Sequence, residues 1–211
     1  MSSVLNCNRK RIAIFASGNG SNLQAIIDYS KNIDINGDVV FVLSSNPDAF
    51  ALERAKIARI NAECIPFNRN NSRIEFDSKI LHAVKNKKID LICLAGYMLL
   101  LSPDFISKYK DKIINIHPSL LPSFKGMHGI RDAFDYGVKT TGVTVHFVED
   151  VLDNGPIILQ EAVDVNKGET ALDLEKKIHE VEHRIYPTAV RHFCKDELRI
   201  IGRKVLIMQR S

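Results

Sequence analysis

Near the middle of the chain an apolar run ends in Asn115, Ile116, His117 and Pro118. If that run is a strand, alternation puts Asn115 and His117 on one face at its carboxyl end. An Asn amide donates hydrogen bonds, and an imidazole donates when charged or takes a proton near neutral pH. The pair therefore suits stabilising an oxyanion while a proton is moved. Asp153 lies in an Asp-Asn-Gly-Pro turn after a run containing His146. Such an acid could orient the imidazole and keep it charged by proximity. Each residue taken singly also reads as an ordinary structural one, since isolated buried polar residues are usually just hydrogen-bonded and Asp153 sits in good turn chemistry.

A second constellation follows the first apolar run. Gly20, Ser21 and Asn22 open a helical pattern, and a helix start offers unpaired backbone N–H groups and the positive end of the dipole to an anion such as a monophosphate. The glycine spacing matches a dinucleotide fingerprint only in part, because Leu23 stands where the third glycine belongs. Ser44, Ser45 and Asn46 end the next strand with no acid for a ribose, so NAD is disfavoured. The same small residues could merely make the turn and the cap. Farther on, His179 to His183 formally match H-E-x-x-H, two imidazoles one helical turn apart with a Glu between. A catalytic zinc needs a third protein ligand, and Arg184, Ile185, Tyr186 and Pro187 supply none. The expectation is no metal, with some of that helix face edging a pocket.

These residues must be held by elements that alternate strand and helix, the pattern of a parallel sheet covered by helices on both faces. The spacing predicts strands over 11–16, 39–43, 64–67, 90–95 and 113–116, and helices over 23–29, 49–59 and 72–87. Pro103 after Ser102 starts a further short helix. Residues 119–129 read as turns. The second half predicts strands over 144–148 and 157–165 joined by a hairpin-like loop. Thr170 and Asp173 then cap a long helix reaching Cys194, interrupted near Pro187, and 198–208 reads as strand-turn-strand. The fold class expected is α/β, a single domain over 11–211 after an amino-terminal extension at 1–10, with an antiparallel carboxy-terminal portion.

Composition narrows the classes. In 211 residues, 29 Lys and Arg against 25 Asp and Glu give a net charge of +4 without a basic tract, so nucleic acid is not implied. The longest apolar run, 91–101, is too short to span a bilayer, and no signal-peptide core follows the amino end. Cys7, Cys64, Cys93 and Cys194 form no CxxC pair, which points to reduced thiols and a cytoplasmic setting.

Four blocks in order, Ser17 to Ala25, Leu94 to Met98, Asn115 to Pro122, and Val145 to Val148 followed by Leu152 and Asp153, resemble the phosphoribosylglycinamide formyltransferases. The resemblance runs from about Arg11 to Cys194. It implies a Rossmann-like domain with adjoining nucleotide and folate sites. It also implies transfer of a formyl group from 10-formyltetrahydrofolate, as co-substrate, to the amine of glycinamide ribonucleotide. The family's catalytic residues fall on Asn115, His117 and Asp153. Its nucleotide contacts fall on Gly20, Ser21, Asn22, His179 and Glu182, which gives the H-E-x-x-H match a non-metal explanation. Its folate contacts fall on Arg73, on Met98, Leu99, Leu100 and Leu101, on Asn115, and on Glu149, Asp150, Val151, Leu152 and Asp153. Leu99 and Asn154 depart from the family, which often has Arg and usually Gly there. The partners expected are these two small molecules, with no nucleic acid and no membrane, for a monomer or weak homodimer. A formyl-folate hydrolase, transfer to methionyl-tRNA and a non-catalytic nucleotide-binding module are the alternatives. Known hydrolases carry an added amino-terminal domain, where about ten residues precede the first strand here, and tRNA enzymes a carboxy-terminal extension.

Overall fold

A computed structural model describes residues 9–68 and 72–208. Most of the expected amino-terminal extension, with Cys7, lies outside the described residues. The first half alternates β1 (Lys10–Phe15), α1 (Ser21–Asn32), β2 (Gly37–Ser44), α2 (Phe50–Ile57), β3 (Asn61–Cys64), α3 (Arg73–Lys85), β4 (Leu91–Leu94), α4 (Pro103–Lys108) and β5 (Ile113–His117). The second half adds α5 (Gly129–Tyr136), β6 (Thr140–Phe147), β7 (Ile157–Asp164), α6 (Ala171–Cys194), β8 (Leu198–Ile201) and β9 (Lys204–Ile207).

Among the described residues nine strands form one sheet in the order β3-β2-β1-β4-β5-β6-β7-β9-β8. The first five are parallel, and β5–β6, β6–β7 and β8–β9 are antiparallel. Alternation along β1 sends Ile12 and Ile14 to one face, with Leu23 and Ile26 of α1 and Ile178 and Tyr186 of α6. Ala13 and Phe15 go to the other, with Phe76 and Ile80 of α3 and Phe105 of α4. Each face is thus covered by helices that bring their apolar stripes to it, and roughly 25 cal/mol per Å² of apolar burial holds them there. Between β1 and β4 the winding reverses, so the loops after these two strands diverge and leave a crevice at their carboxyl ends. The Ser17 N–H donates to the Gly96 carbonyl at 3.0 Å across that crevice.

Several expectations are corrected. The edge strand β3 is Asn61–Cys64, not 64–67. Backbone pairing with β2 needs no apolar side chains at an edge; Ile65 and Phe67, just past the strand, pack on the second face while their N–H groups still donate to the Ser44 and Ser45 carbonyls. Helix α6 is continuous through Pro187. The flanking Tyr186, Ala189 and Val190 are buried, and the Tyr186 hydroxyl donates to the Leu94 and Ile114 carbonyls, so tertiary packing outweighs one missing N–H. Helix α5 was not anticipated, although Ile130, Ala133 and Phe134 carry helical spacing and Gly137 ends it at φ +82°. Strand β6 begins at Thr140, ahead of the expected 144.

Candidate active site

A cavity of about 890 Å³ occupies the crevice, within the range of small-molecule sites. Its wall includes Gly20, Ser21, Asn22, His179 and Glu182, the group Asn115, His117 and Asp153, and Met98 to Leu101 with Glu149 to Leu152. Of the residues expected at the site, Arg73 alone is not on this wall. Its Nε is 3.4 Å from Asp77 Oδ1, and its guanidinium lies 5.4 Å from the Phe76 ring centre.

One part of the wall is built by α1 and α6. Gly20 caps α1 at φ +75°, and the first intrahelical bond runs from the Gln24 N–H to the Gly20 carbonyl. The N–H groups of Ser21, Asn22 and Leu23 precede that bond and have no intrahelical acceptor, and no acid sits in the first turn. Asn22 Nδ2 donates to the buried Glu182 carboxylate at 3.0 Å, and Glu182 also lies 2.8 Å from His179 Nδ1. The hydrogen bond to Glu182 holds the His179 imidazole's pKa above its ordinary range, with a smaller lift from Glu175, against the cost of burial. Burial lowers that of His183, one turn on. Among the described residues no group of three or more His, Cys, Asp or Glu side chains is placed to hold a metal.

Sequence reasoning missed Arg54 of α2. Its Nε and Nη2 donate to the backbone and side-chain oxygens of Asn19, both at 2.9 Å, and fasten the loop just ahead of Gly20. Thirty-five positions separate the two residues, and only the packing of α2 beside the loop joins them.

Elsewhere on the wall, the antiparallel return of β6 and the loop after it set three residues together. His117 Nδ1 lies 3.5 Å from Asp153 Oδ2, an ion-pair distance rather than a tight hydrogen bond. His117 Nε2 is 2.7 Å from the Phe124 carbonyl. The Phe124 carbonyl can only accept, so Nε2 is the donor there, and Nδ1 faces the carboxylate. Asp153 is held at φ +47°, and its Oδ2 accepts the Gly126 N–H at 2.8 Å. Asn115 Nδ2 lies 3.3 Å from His146 Nε2.

The third region is apolar and open. Met98, Leu100, Val151 and Leu152 are exposed around the mouth, where a flat, partly apolar ligand would cover them. The Met98 N–H donates to Ser17 Oγ, tying this loop to the one after β1. Of the two departures from the family, Leu99 packs against the second core face. The Asn154 side chain accepts from Lys125 and its carbonyl from Arg203, away from the cavity wall.

Residues 10–190 match the formyl transferase family. The chain is 42% identical over 189 residues to the phosphoribosylglycinamide formyltransferase of Escherichia coli, covering 90% of this chain and 89% of that one. It is also 42% identical over 183 residues to the human trifunctional purine biosynthetic protein adenosine-3, covering 87% of this chain and 18% of that larger protein. The crystal structure of glycinamide ribonucleotide transformylase 1 from Symbiobacterium toebii superposes with a TM-score of 0.93 at 43% identity, covering 99% of this chain and 100% of that one.

Proposed function

The chain belongs to the formyl transferase family, and from that membership we propose how its cavity divides the work of moving a formyl group to the amine of glycinamide ribonucleotide. It is a formyl-transferring enzyme of purine biosynthesis, and 10-formyltetrahydrofolate is the donor in this reading. The observation that carries the assignment of roles is the placement of Asn115, His117 and Asp153 on the wall of one cavity together with an anion-ready helix start and a set of exposed apolar residues.

In this reading the nucleotide's phosphate takes the N–H groups of Ser21 and Asn22, and His179 and Glu182 of α6, on the same cavity wall, help hold the nucleotide. The pterin lies against residues 98–101 and 149–153. Arg73 lies off this wall, so its expected folate contact needs a ligand that extends beyond the cavity. The neutral amine attacks the formyl carbon, and the carbonyl oxygen takes up negative charge. Asn115 and charged His117 donate to that oxygen; loss of one such donor costs about 10²–10³ in rate. His117 Nε2 must leave the Phe124 carbonyl to do so. Asp153 keeps the imidazole charged and helps pass the amine's proton toward the departing folate nitrogen, directly or through water.

Formyl transfer measured with and without glycinamide ribonucleotide tests this. Deformylated folate should form only with the nucleotide, in step with formylated product. Equal turnover without it would identify a hydrolase, and nucleotide binding with no turnover a binding module.

His179 gives a pH-dependent expectation. Its pKa is raised, so it stays charged to higher pH than an ordinary imidazole at 6.5 and loses its charge as pH rises through the raised value. The KM for the nucleotide should therefore increase over that alkaline step. In His179→Ala the KM should be several-fold higher at neutral pH, with kcat unchanged and the step absent. Comparison with the variant cancels the phosphate's own titration. A step that persists in the variant would assign it to another group.

A further inference from the structure

We propose that His146 is a positioning residue for the reaction, one that uses the lone pair of its Nε2 to fix the Asn115 amide so that an N–H, not a carbonyl, serves the reacting oxygen. The inference rests on the role given to Asn115 above. It starts from the ladder: His146 of β6 stands directly opposite Asn115 of β5, and cross-strand partners project to the same face. At the same residue the β6–β7 ladder shifts register, between Val145 and His146, an irregularity of the kind that re-aims side chains beside active sites.

The proton inventory of the ring follows from its neighbours. His146 Nδ1 is 2.7 Å from the Phe147 carbonyl, which can only accept, so Nδ1 carries a hydrogen in either charge state. The charge state then decides what Nε2 does. The charged groups that bear on the ring are Asp153, which favours the imidazolium with Oδ1 3.8 Å from Nε2, and His117 and Lys125, which oppose it. That 3.8 Å separation is too long for a hydrogen bond. The ring is nearly fully buried, and burial with the two cations keeps its pKa below the ordinary histidine range. At neutral pH Nε2 is therefore a bare acceptor, and the donor within reach is the Asn115 amide at 3.3 Å.

The ring decides which end of the Asn115 amide faces it. A carbonyl oxygen turned toward Nε2 would set two lone pairs against each other, so the nitrogen faces His146 and gives it one N–H. The second N–H on that nitrogen remains for the substrate oxygen. Were His146 to donate instead, the amide would turn over and present Oδ1 to a developing negative charge.

Two measurements test the assignment. In ¹⁵N-labelled enzyme at pH 7.5, NMR of the side chain should show His146 protonated at Nδ1 and bare at Nε2. A ring protonated at Nε2, alone or as imidazolium, would overturn the proposal whatever the activity. His146→Phe keeps a ring and removes the acceptor. It should lower kcat by about tenfold, short of the roughly 10²–10³ lost with a whole donor, with KM for both substrates within about twofold. His146→Gln offers an acceptor near the position of Nε2 and should recover most of the rate. In an Asn115→Ala background His146→Phe should cost little more, since residues acting as a unit are not additive. A full tenfold loss in that background, or no rescue by Gln, would overturn it. If the Phe variant does not fold, the tautomer and the Gln variant still decide. Should the wild-type chain fail to formylate glycinamide ribonucleotide, the functional reading falls while the NMR result stands by itself.

Discussion

Asp153→Asn should lower kcat by about 10³–10⁴ while the KM for the nucleotide changes little, the behaviour expected when a buried acid that orients and charges an imidazole is made neutral. The carboxylate is nearly fully buried, with Oδ2 shared between His117 and the Gly126 N–H. An Asn amide is nearly the same size, so the loop stays in place. What goes is the charge that favours the imidazolium, and with it the donor that stabilises the tetrahedral oxygen. The lost interaction belongs mainly to the transition state, hence a change in kcat rather than in binding. In an NMR titration His117 should lose its proton at lower pH in Asp153→Asn than in the wild-type chain. Combining the change with His117→Ala should cost clearly less than the product of the two single losses. Multiplicative losses, or an unmoved His117 titration, would break the coupling between these two residues.

Gly20→Val should raise the KM for the nucleotide by about 10–100-fold and leave that for the folate nearly unchanged, but not because bulk fills the anion's place. A Cβ at Gly20 would point at α2, 2.8 Å from Ala51 Cβ and 2.9 Å from its Cα, and the φ of +75° is one that a β-branched residue rarely adopts. The loop must shift away from α2, at a cost of about 1–3 kcal/mol for a strained backbone, and the N–H groups of Ser21 and Asn22 lose their common aim. The expected KM change corresponds to about 1.4–2.8 kcal/mol of lost binding, at about 1.4 kcal/mol per tenfold. A drop in Tm should accompany it. A drop in Tm with both KM values unchanged would mean that this loop does not hold the phosphate, and equal rises in both would deny it selectivity for the nucleotide.

Features that depend on near neighbours are legible in the order of residues alone. Alternation placed Asn115 and His117 on one face, because two residues advance a strand by one full pleat. Thr170 and Asp173 announced the start of α6, and their capping box is present. Gly20, Ser21 and Asn22 announced a helix start with free N–H groups, since a first turn leaves its donors unpaired wherever it occurs. Whatever depends on partners far along the chain is set by the packing of distant elements. Pro187 remains inside one helix because burial of its neighbours outweighs a local hydrogen bond. Gly20 presses on Ala51, Arg54 holds Asn19, and His146 faces Asn115 only because strands and helices distant in sequence are laid side by side. Local spacing fixes which way a side chain leaves its own element. What it meets there, and so whether an imidazole is charged or an amide can turn, is set by elements that the spacing does not contain.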